Sequence, residues 1–598
     1  MPNPYAIMYT PLTFELMGFI GKDVTVTDLL TYLSGKDAHD ITRENYLEYL
    51  AFDPVKERIG LPELIGFDNY SSYYVANQIA GADSRIRVII ADGKRRKINE
   101  IIQKMGQKPM AVFITSISST FPTTVALTLA LNHARIPVVI GGIHVSCSPG
   151  DVDIFIRKHL LHPALVSQVR GPGDRQVMGR VMKDLKNINL QAEYFGAIPV
   201  ENGVWGNPRV ESLPDIPLDF LKGLPICGNY LSREARLQVT TPYMGCPYSC
   251  SFCSISALRG SQKRFTMRTP EDFVDEILSH QRTGHVLKSR FYIFLPDNML
   301  LGGKNLEALL DYMIQKKVKI NYGVQISIEV ADNQRILEKL RLSGASFLFV
   351  GFESLDIRDL ELMDKHAAKL IRKSGLSVEA YYAQKIKILQ RHGFVVHGAF
   401  IFGLPFNYFN SLNDHSGTKV TNFCNKNKIG IQATCLNDLP GSRNFTDSQA
   451  KGTFIYGQSG TMDYLFSLCS SDLIETNRPM PETLYSSPLL ATYMAYVATQ
   501  RAGRFNKILK TAILSGVMAW KSPTINGRTS LKQRLLDVLC AVCPLLTAKV
   551  YKAQIEGVVL SRNGRKGLFE RLYAREKDPF VLRTFKSFIG EQIRSHRP

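Results

Sequence analysis

The sequence predicts an α/β protein in three parts: a doubly wound parallel sheet, a partial (β/α) barrel and a helical C-terminal domain. Two observations carry the first two parts. Short apolar runs alternate with helical windows from Arg87 to Gly142 and again from Leu237 to Leu436, and such alternation marks parallel sheets covered by helices. Composition carries the third, because basic residues crowd the chain after Arg501. The 598 residues exceed one ordinary domain. The expected division is 1–185, a connection 186–236, the barrel 237–457 and the basic tail 458–598.

Residues 1–92 show no clear period beyond a strand at Arg87–Ala91. Met1–Gly21 lacks a basic start and does not read as a signal peptide. Lys94–Lys104 predicts a helix with Ile98, Ile101 and Ile102 on one side. Met110–Ser116 predicts a strand, Thr123–Ala134 a helix and Ile136–Gly142 a second strand. The uncharged stretch Pro109–Ala134 has the length of a membrane span, but Pro122 and its many hydroxyl residues favour strand, loop and helix. Ligands of such sheets sit beyond the strands' carboxyl ends, here Ser116–Thr120, with Ser118 central, and Gly141-Gly142-Ile143-His144. His144 fits either a ligand cleft or a buried structural position. Prolines 208, 214, 217 and 225 punctuate the connection, with Trp205 and Phe220 as anchors.

In the barrel, Leu237–Thr241 is a strand and Thr269-Pro270 starts a capped helix. Strands follow at Phe291–Asn298, Asn321–Glu329, Phe347–Ser354, Val395–Phe402 and Ile429–Leu436. Helices between them close at Gly344 and Gly393. The tail reads as amphipathic basic helices, suited to a solvated face or to peripheral membrane contact. Its Cys540-Ala541-Val542-Cys543 run fits helix packing better than a metal site. The net charge of +20 admits anionic partners, and a solvated basic surface looks the same.

Ten cysteines are present, and seven are scattered, which suits a reducing cytoplasm. The other three form a C-x3-C-x2-C run, Cys246-Pro247-Tyr248-Ser249-Cys250-Ser251-Phe252-Cys253. Three thiolates at this spacing can wrap one face of an iron–sulfur cluster, leaving one iron open. The alternatives are a zinc site, which wants four closed ligands, and three unrelated cysteines.

This run resembles the cluster motif of the radical S-adenosylmethionine (SAM) enzymes. The resemblance implies a [4Fe–4S] cluster on Cys246, Cys250 and Cys253, SAM on the open iron, and a 5′-deoxyadenosyl radical after one-electron cleavage. It extends through Gly351–Asp356, Leu360–Lys365, Gly398–Pro405 and Leu439–Arg443, and covers roughly Leu237–Gly457. Phe406-Asn407 departs from the small or acidic residue that relatives place after Gly-Leu-Pro. Gly141–Ser146 and Val169–Asp174 resemble the Rossmann-like, cobalamin-binding-type domain that precedes many radical SAM domains, although the D-x-H-x-x-G motif is absent.

The resemblance implies site roles. Phe252 meets adenine or simply packs. Asp297 and Asn298 hold the SAM amino group or the substrate. Ser327 and Glu329 hold ribose or carboxylate. Glu353 accepts from the SAM ammonium or forms a structural salt bridge. Gly403 lets the backbone approach the nucleoside. Ser118, Gly141, Gly142 and His144 border the cobalamin site. No catalytic side chain is assigned.

The leading expectation is cobalamin-dependent methyl transfer to an unactivated carbon of a small-molecule, lipid or peptide substrate. Electrons would come from a donor of the flavodoxin or ferredoxin type. A cobalamin-free radical cyclase, cross-linking or oxidising enzyme is the second reading. An iron–sulfur protein binding nucleic acid or a partner is the third. The ordered strand-end motifs of the barrel speak against the last, and nucleic acid is not expected as a partner.

Overall fold

The computed structural model describes residues 4–11, 70–92, 98–196, 238–258, 266–282, 291–408, 416–452, and Gly460, Tyr464 and Leu468. The predicted tail helices, Cys540 and Cys543, and the anchors Trp205 and Phe220 lie outside these residues.

The N-terminal sheet has six parallel strands: β1 (Tyr5–Thr10), β2 (Arg87–Asp92), β3 (Val112–Thr115), β4 (Val138–Gly141), β5 (Val166–Arg170) and β6 (Glu193–Phe195). Their order is β2-β1-β3-β4-β5-β6. The chain therefore reverses direction across the sheet between β1 and β3, which opens a crevice at the strands' carboxyl ends.

Side chains partition with a period of two. Tyr5, Ile7, Tyr9, Val112, Ile114, Val138 and Ile140 enter one core, and Ala6, Met8, Val88, Ile90, Phe113 and Val139 the other. Both faces are covered, by helices that include α1 (Tyr70–Ala82), α2 (Ile98–Met105), α3 (Phe121–His133) and, after β5, α4 (Arg175–Lys186). Two elements escaped the sequence reading. β1 is a short apolar run far from its partners in sequence, and α1 carries small and polar residues with little periodicity. β6 falls in the stretch expected to be a connection; Gln168, Val169 and Arg170 pair with it, so the first sheet reaches Phe195.

The second sheet is also parallel, ordered β14-β13-β12-β11-β10-β7. Its strands are β7 (Gln238–Thr240), β10 (Phe291–Phe294), β11 (Asn321–Gln325), β12 (Ala345–Glu353), β13 (Val395–Phe402) and β14 (Gly430–Cys435). A small antiparallel pair, β8 (Tyr243–Met244) with β9 (Thr266–Met267), is inserted after β7. Successive strands lie side by side, as in part of a (β/α) barrel. Outward residues Tyr292, Phe294, Tyr322, Val324, Leu348, Val350, Phe352 and Phe400 are buried under the helices. Phe294 stacks on Tyr322 at 4.1 Å, and Phe352 on Phe400 at 5.5 Å. Each such ring stabilises the fold by about 1.5–3 kcal/mol through burial. On the inner face His397 lies between Phe347 and Phe349, 5.8 and 5.7 Å from their centroids. Burial pushes its imidazole down to about 4.

The two sheets meet at their carboxyl ends. The short helix Ile143–Cys147 after β4 packs on the 3-10 turn Ser254–Leu258 that follows the cysteine run, where Cys147 Sγ donates to the Ser254 carbonyl at 3.8 Å. Gly441 allows this approach: a Cβ there would stand 2.6 Å from Cys147 Sγ. The helix Arg443–Lys451 sends Phe445 into the N-terminal core beside Tyr464 and Leu468. The stretch Pro109–Ala134 forms β3, a 3-10 turn and α3. Among the described residues no helix is long and apolar enough to cross a membrane.

Candidate functional site

The cysteine run leaves β8 through Gly245, whose φ of +92° is a left-handed turn that favours glycine. Its N–H donates to Asp297 Oδ2 at 2.5 Å, fixing the start of the loop to the end of β10. The Ser251 N–H donates to the Met363 carbonyl at 3.1 Å, and the Ser251 carbonyl accepts from Asn444 N–H at 3.0 Å. Tyr248 stacks on His366 at 5.0 Å and 13°. Cys253 N–H turns back to the Cys250 carbonyl at 3.1 Å.

None of the three thiols is in a disulfide, and all three are half-buried. They lie in one another's field, since Cys246 acts on Cys250, and both act on Cys253. Burial is the larger influence. It raises Cys250 and pushes Cys253 up to about 11, so a metal must displace their protons to bind.

The arrangement fits a cluster held on one face by three sulfurs. A single zinc would draw its sulfurs to within about 4 Å of one another. Zinc would also want a fourth ligand to close its set, whereas a cluster can be held by three thiolates with one iron left open.

Around this loop the strand ends of the barrel bring carboxylates together. Asp297 is raised by burial, with the Gly245 N–H opposing. Asn298 Oδ1 accepts from Leu300 N–H at 3.2 Å and from Ser327 N–H at 3.1 Å. Ser327 and Glu329 were expected to end β11. The strand stops at Gln325, and Ser327 instead caps a 3-10 turn, Ile328–Asp332, that carries Glu329. The Asn298 bond pulls the chain out of the sheet there. Glu329 Oε1 faces His366 Nδ1 at 3.5 Å, and its buried Oε2 has no hydrogen-bond partner.

Glu353 ends β12 with a φ of +64°, a conformation that costs a non-glycine residue about 1–2 kcal/mol. Its Oε1 pairs with Lys365 Nζ at 2.6 Å. The absent side chain of Gly351 makes the room: a Cβ would meet Glu353 Oε1 at 2.3 Å and Lys365 Nζ at 3.2 Å. Burial opposes the Lys365 charge, but Glu353, the Cys250 sulfur and Glu329 together hold its pKa above the ordinary value. The Glu353 carboxylate is therefore engaged in an ion pair beside the cysteine loop.

Phe252 is half-buried and packs against the barrel core. Gly403 follows β13 with a φ of +85°. The departure at Phe406-Asn407 has a local explanation. Asn407 Oδ1 accepts from Leu404 N–H at 3.0 Å, and Phe406 N–H donates to Asp359 Oδ1 at 3.0 Å. Asp359 also accepts from Ser354 Oγ at 3.0 Å, so it ties the β12 loop to the β13 loop.

Burial pushes Asp359 up from 3.8 to about 6, the Phe406 and Ser354 donors only partly opposing. The fold thus prefers the protonated acid. Its contribution to stability is greatest below pH 3.8 and is lost as pH rises to about 6. Relative to Asp359→Asn, wild-type stability in urea is expected to fall by about 3 kcal/mol over that window. Parallel pH profiles for the two proteins would exclude this.

At the N-terminal sheet, Ser118 and Gly141 lie half-buried at the ends of β3 and β4. Gly142 has a φ of +108°, and a Cβ would meet the Ser116 carbonyl oxygen at 2.3 Å. His144 is fully enclosed, 4.0 Å from the Phe121 ring, with Nδ1 3.2 Å from Ser118 Oγ and Nε2 3.2 Å from Asp151 Oδ2. Its burial supports the structural of its two readings. The sequence reading gave no site role to Tyr248, which lies within the cysteine run, or to Lys365, which ends a run that the resemblance covers, and it missed Asp359 and His366 as site residues. Only the fold brings Asp359, Lys365 and His366 to the loop.

No family model matches the chain. It is 27% identical over 224 residues to bacteriochlorophyllide d C-12(1)-methyltransferase of Chlorobaculum tepidum, covering 37% of this chain and 45% of that one. It is 23% identical over 298 residues to the cobalamin-dependent radical SAM methyltransferase TokK of Streptomyces tokunonensis, covering 48% and 41%. The solved structure of the cobalamin-dependent S-adenosylmethionine radical enzyme OxsB with aqua-cobalamin superposes with a TM-score of 0.50 at 12% identity, over 96% of this chain and 76% of that one. That likeness is one of fold. The chain spans about half the length of the curated relatives it matches.

Proposed function

We propose that the chain is a radical SAM protein with a cobalamin-binding-type domain, like the relative and the solved structure it resembles, and that it methylates an unactivated carbon of a small molecule. One observation carries the reading: three half-buried thiols, none in a disulfide and each in the field of another, stand in one loop at the carboxyl end of the barrel, facing the N-terminal sheet's own carboxyl end. When bound, the cluster and SAM supply a carbon radical and cobalamin supplies a transferable methyl group.

Cys246, Cys250 and Cys253 hold the cluster as thiolates. Glu329 offers a buried carboxylate oxygen with no hydrogen-bond partner, suited to the SAM ammonium or a ribose hydroxyl. Gly403 brings backbone close to the nucleoside, and Phe252 supplies an apolar contact. The strongly basic chain suits an acidic electron-donor protein of the flavodoxin or ferredoxin type.

Anaerobic incubation of the iron-reconstituted chain with SAM, hydroxocobalamin and dithionite tests this. Both 5′-deoxyadenosine and S-adenosylhomocysteine are expected. Without S-adenosylhomocysteine or retained corrinoid, methyl transfer falls and radical chemistry stands. With neither product, both fall.

A further inference from the structure

The outer side of the cysteine run reaches solvent, because Ser249 at its bend is exposed. Two routes lead from that surface to the sulfurs. Leu362, 54% exposed, precedes Met363, whose carbonyl accepts from the Ser251 N–H, and Ser251 adjoins Cys250. Tyr248, two residues from both Cys246 and Cys250, stacks on His366, whose side chain is 42% exposed.

His366 opens the helix His366–Ser374. Ala367, Ala368 and Ile371 turn one face of that helix into the barrel core. His366, Lys369 and Lys373, at i, i+3 and i+7, therefore share the opposite face. Both lysines are exposed, and among the described residues no carboxylate pairs with either. The carboxylates beside them are already neutralised. Glu361 pairs with Arg372 at 2.7 Å, which brings the end of helix Ile357–Leu362 against this one, and Asp364 pairs with Arg443. The surface outside the cysteine loop is thus an exposed leucine rimmed by unspent positive charge.

We propose that Leu362 and the His366–Lys369–Lys373 face form the docking surface for an acidic one-electron donor protein. The acceptor, a cluster on Cys246, Cys250 and Cys253, rests on the function proposed above. On each encounter the donor is oxidised by one electron and the cluster is reduced by one. Electron tunnelling weakens steeply with distance. A donor seated here is separated from Cys250 by Leu362, Met363, one hydrogen bond and Ser251. Charge complementarity selects an acidic partner, and the lysines steer its approach. A small apolar centre inside a charged rim suits the brief encounters of redox partners.

The test uses the full iron-reconstituted chain and a purified acidic flavodoxin. Flavodoxin binding, read by calorimetry, is expected to weaken about tenfold at low salt in Lys369→Glu/Lys373→Glu, with the difference shrinking at high salt. Leu362→Ser weakens it about fivefold at either salt. Reversing two exposed cations on the helix Val378–Arg391, Lys387→Glu/Arg391→Glu, changes it less than about twofold. Stopped-flow reduction of the cluster by reduced flavodoxin slows in parallel. Reduction by dithionite, which needs no docking surface, keeps its wild-type rate. Unchanged flavodoxin affinity in the lysine pair, or an equal loss in the two pairs, overturns the surface. So does binding of RNA or of phosphatidylserine vesicles, weakened by the lysine pair, with no flavodoxin bound. Each of these results leaves the cluster chemistry standing. A wild-type chain that holds no iron sinks instead the radical SAM reading, and the donor surface with it.

Discussion

Cys250→Ala is expected to leave a folded chain that no longer retains iron after anaerobic reconstitution and desalting. SAM cleavage should fall at least about a thousandfold, the scale on which losing one member of a concerted set is felt. The expectation follows from the loop. Cys250 stands between the other two thiols, its neighbour Ser251 is pinned through its N–H to Met363 and through its carbonyl to Asn444, and the sulfur lies in the field of Lys365. Removing it leaves two ligands for a cluster that needs three. The side chain is half-buried and makes little of the core, so the stability cost should stay within about 1 kcal/mol. Iron and acid-labile sulfide analysis, 5′-deoxyadenosine assay and near-ultraviolet circular dichroism read the three quantities. Wild-type iron content in this variant would falsify the cluster assignment.

Lys365→Met is the substitution expected to cost most in stability. Glu353 is buried at the end of β12, and its ion-pair partner among the described residues is Lys365. Stripping the cation leaves a carboxylate in a low-dielectric pocket, and breaking such a pair costs about 3–5 kcal/mol. The loss should appear as a lower urea midpoint with unchanged slope in the metal-free protein. Glu353→Gln added to Lys365→Met should recover part of it, because an amide needs no countercharge. SAM affinity should fall alongside, since the same pair borders the cysteine loop. If the single variant is as stable as wild type, water reaches the pair and the buried-charge argument fails.

Much of this architecture is written locally. The barrel strands announce themselves because each is an apolar run closed by glycine or a polar end, and Val395–Phe402 matches its expected bounds. Thr269 caps its helix as read, with the Asp272 N–H on its hydroxyl at 3.2 Å. The cysteine run is legible because cluster ligation needs its residues adjacent in sequence. The second ring of the site is not. Lys365 closes a run that the resemblance covers without a role, His366 starts the next helix, and only the Glu353–Lys365 and Tyr248–His366 contacts reveal their task. Ser327 and Glu329 were misplaced because a strand's end depends on a side chain, that of Asn298, from the neighbouring strand's loop. β1 was invisible for a related reason: its six residues are stabilised by partners at Arg87–Asp92 and Val112–Ile114, more than 75 positions away.

Phe445 has a consequence for inheritance. Its ring is lodged in the N-terminal core although the residue follows β14 of the barrel. A recombination event that exchanged the first two hundred codons for those of a cousin would swap one wall of that socket and keep the plug. Grafts are tolerated only where both change together, so the two halves should travel through lineages as a matched couple rather than as interchangeable cassettes.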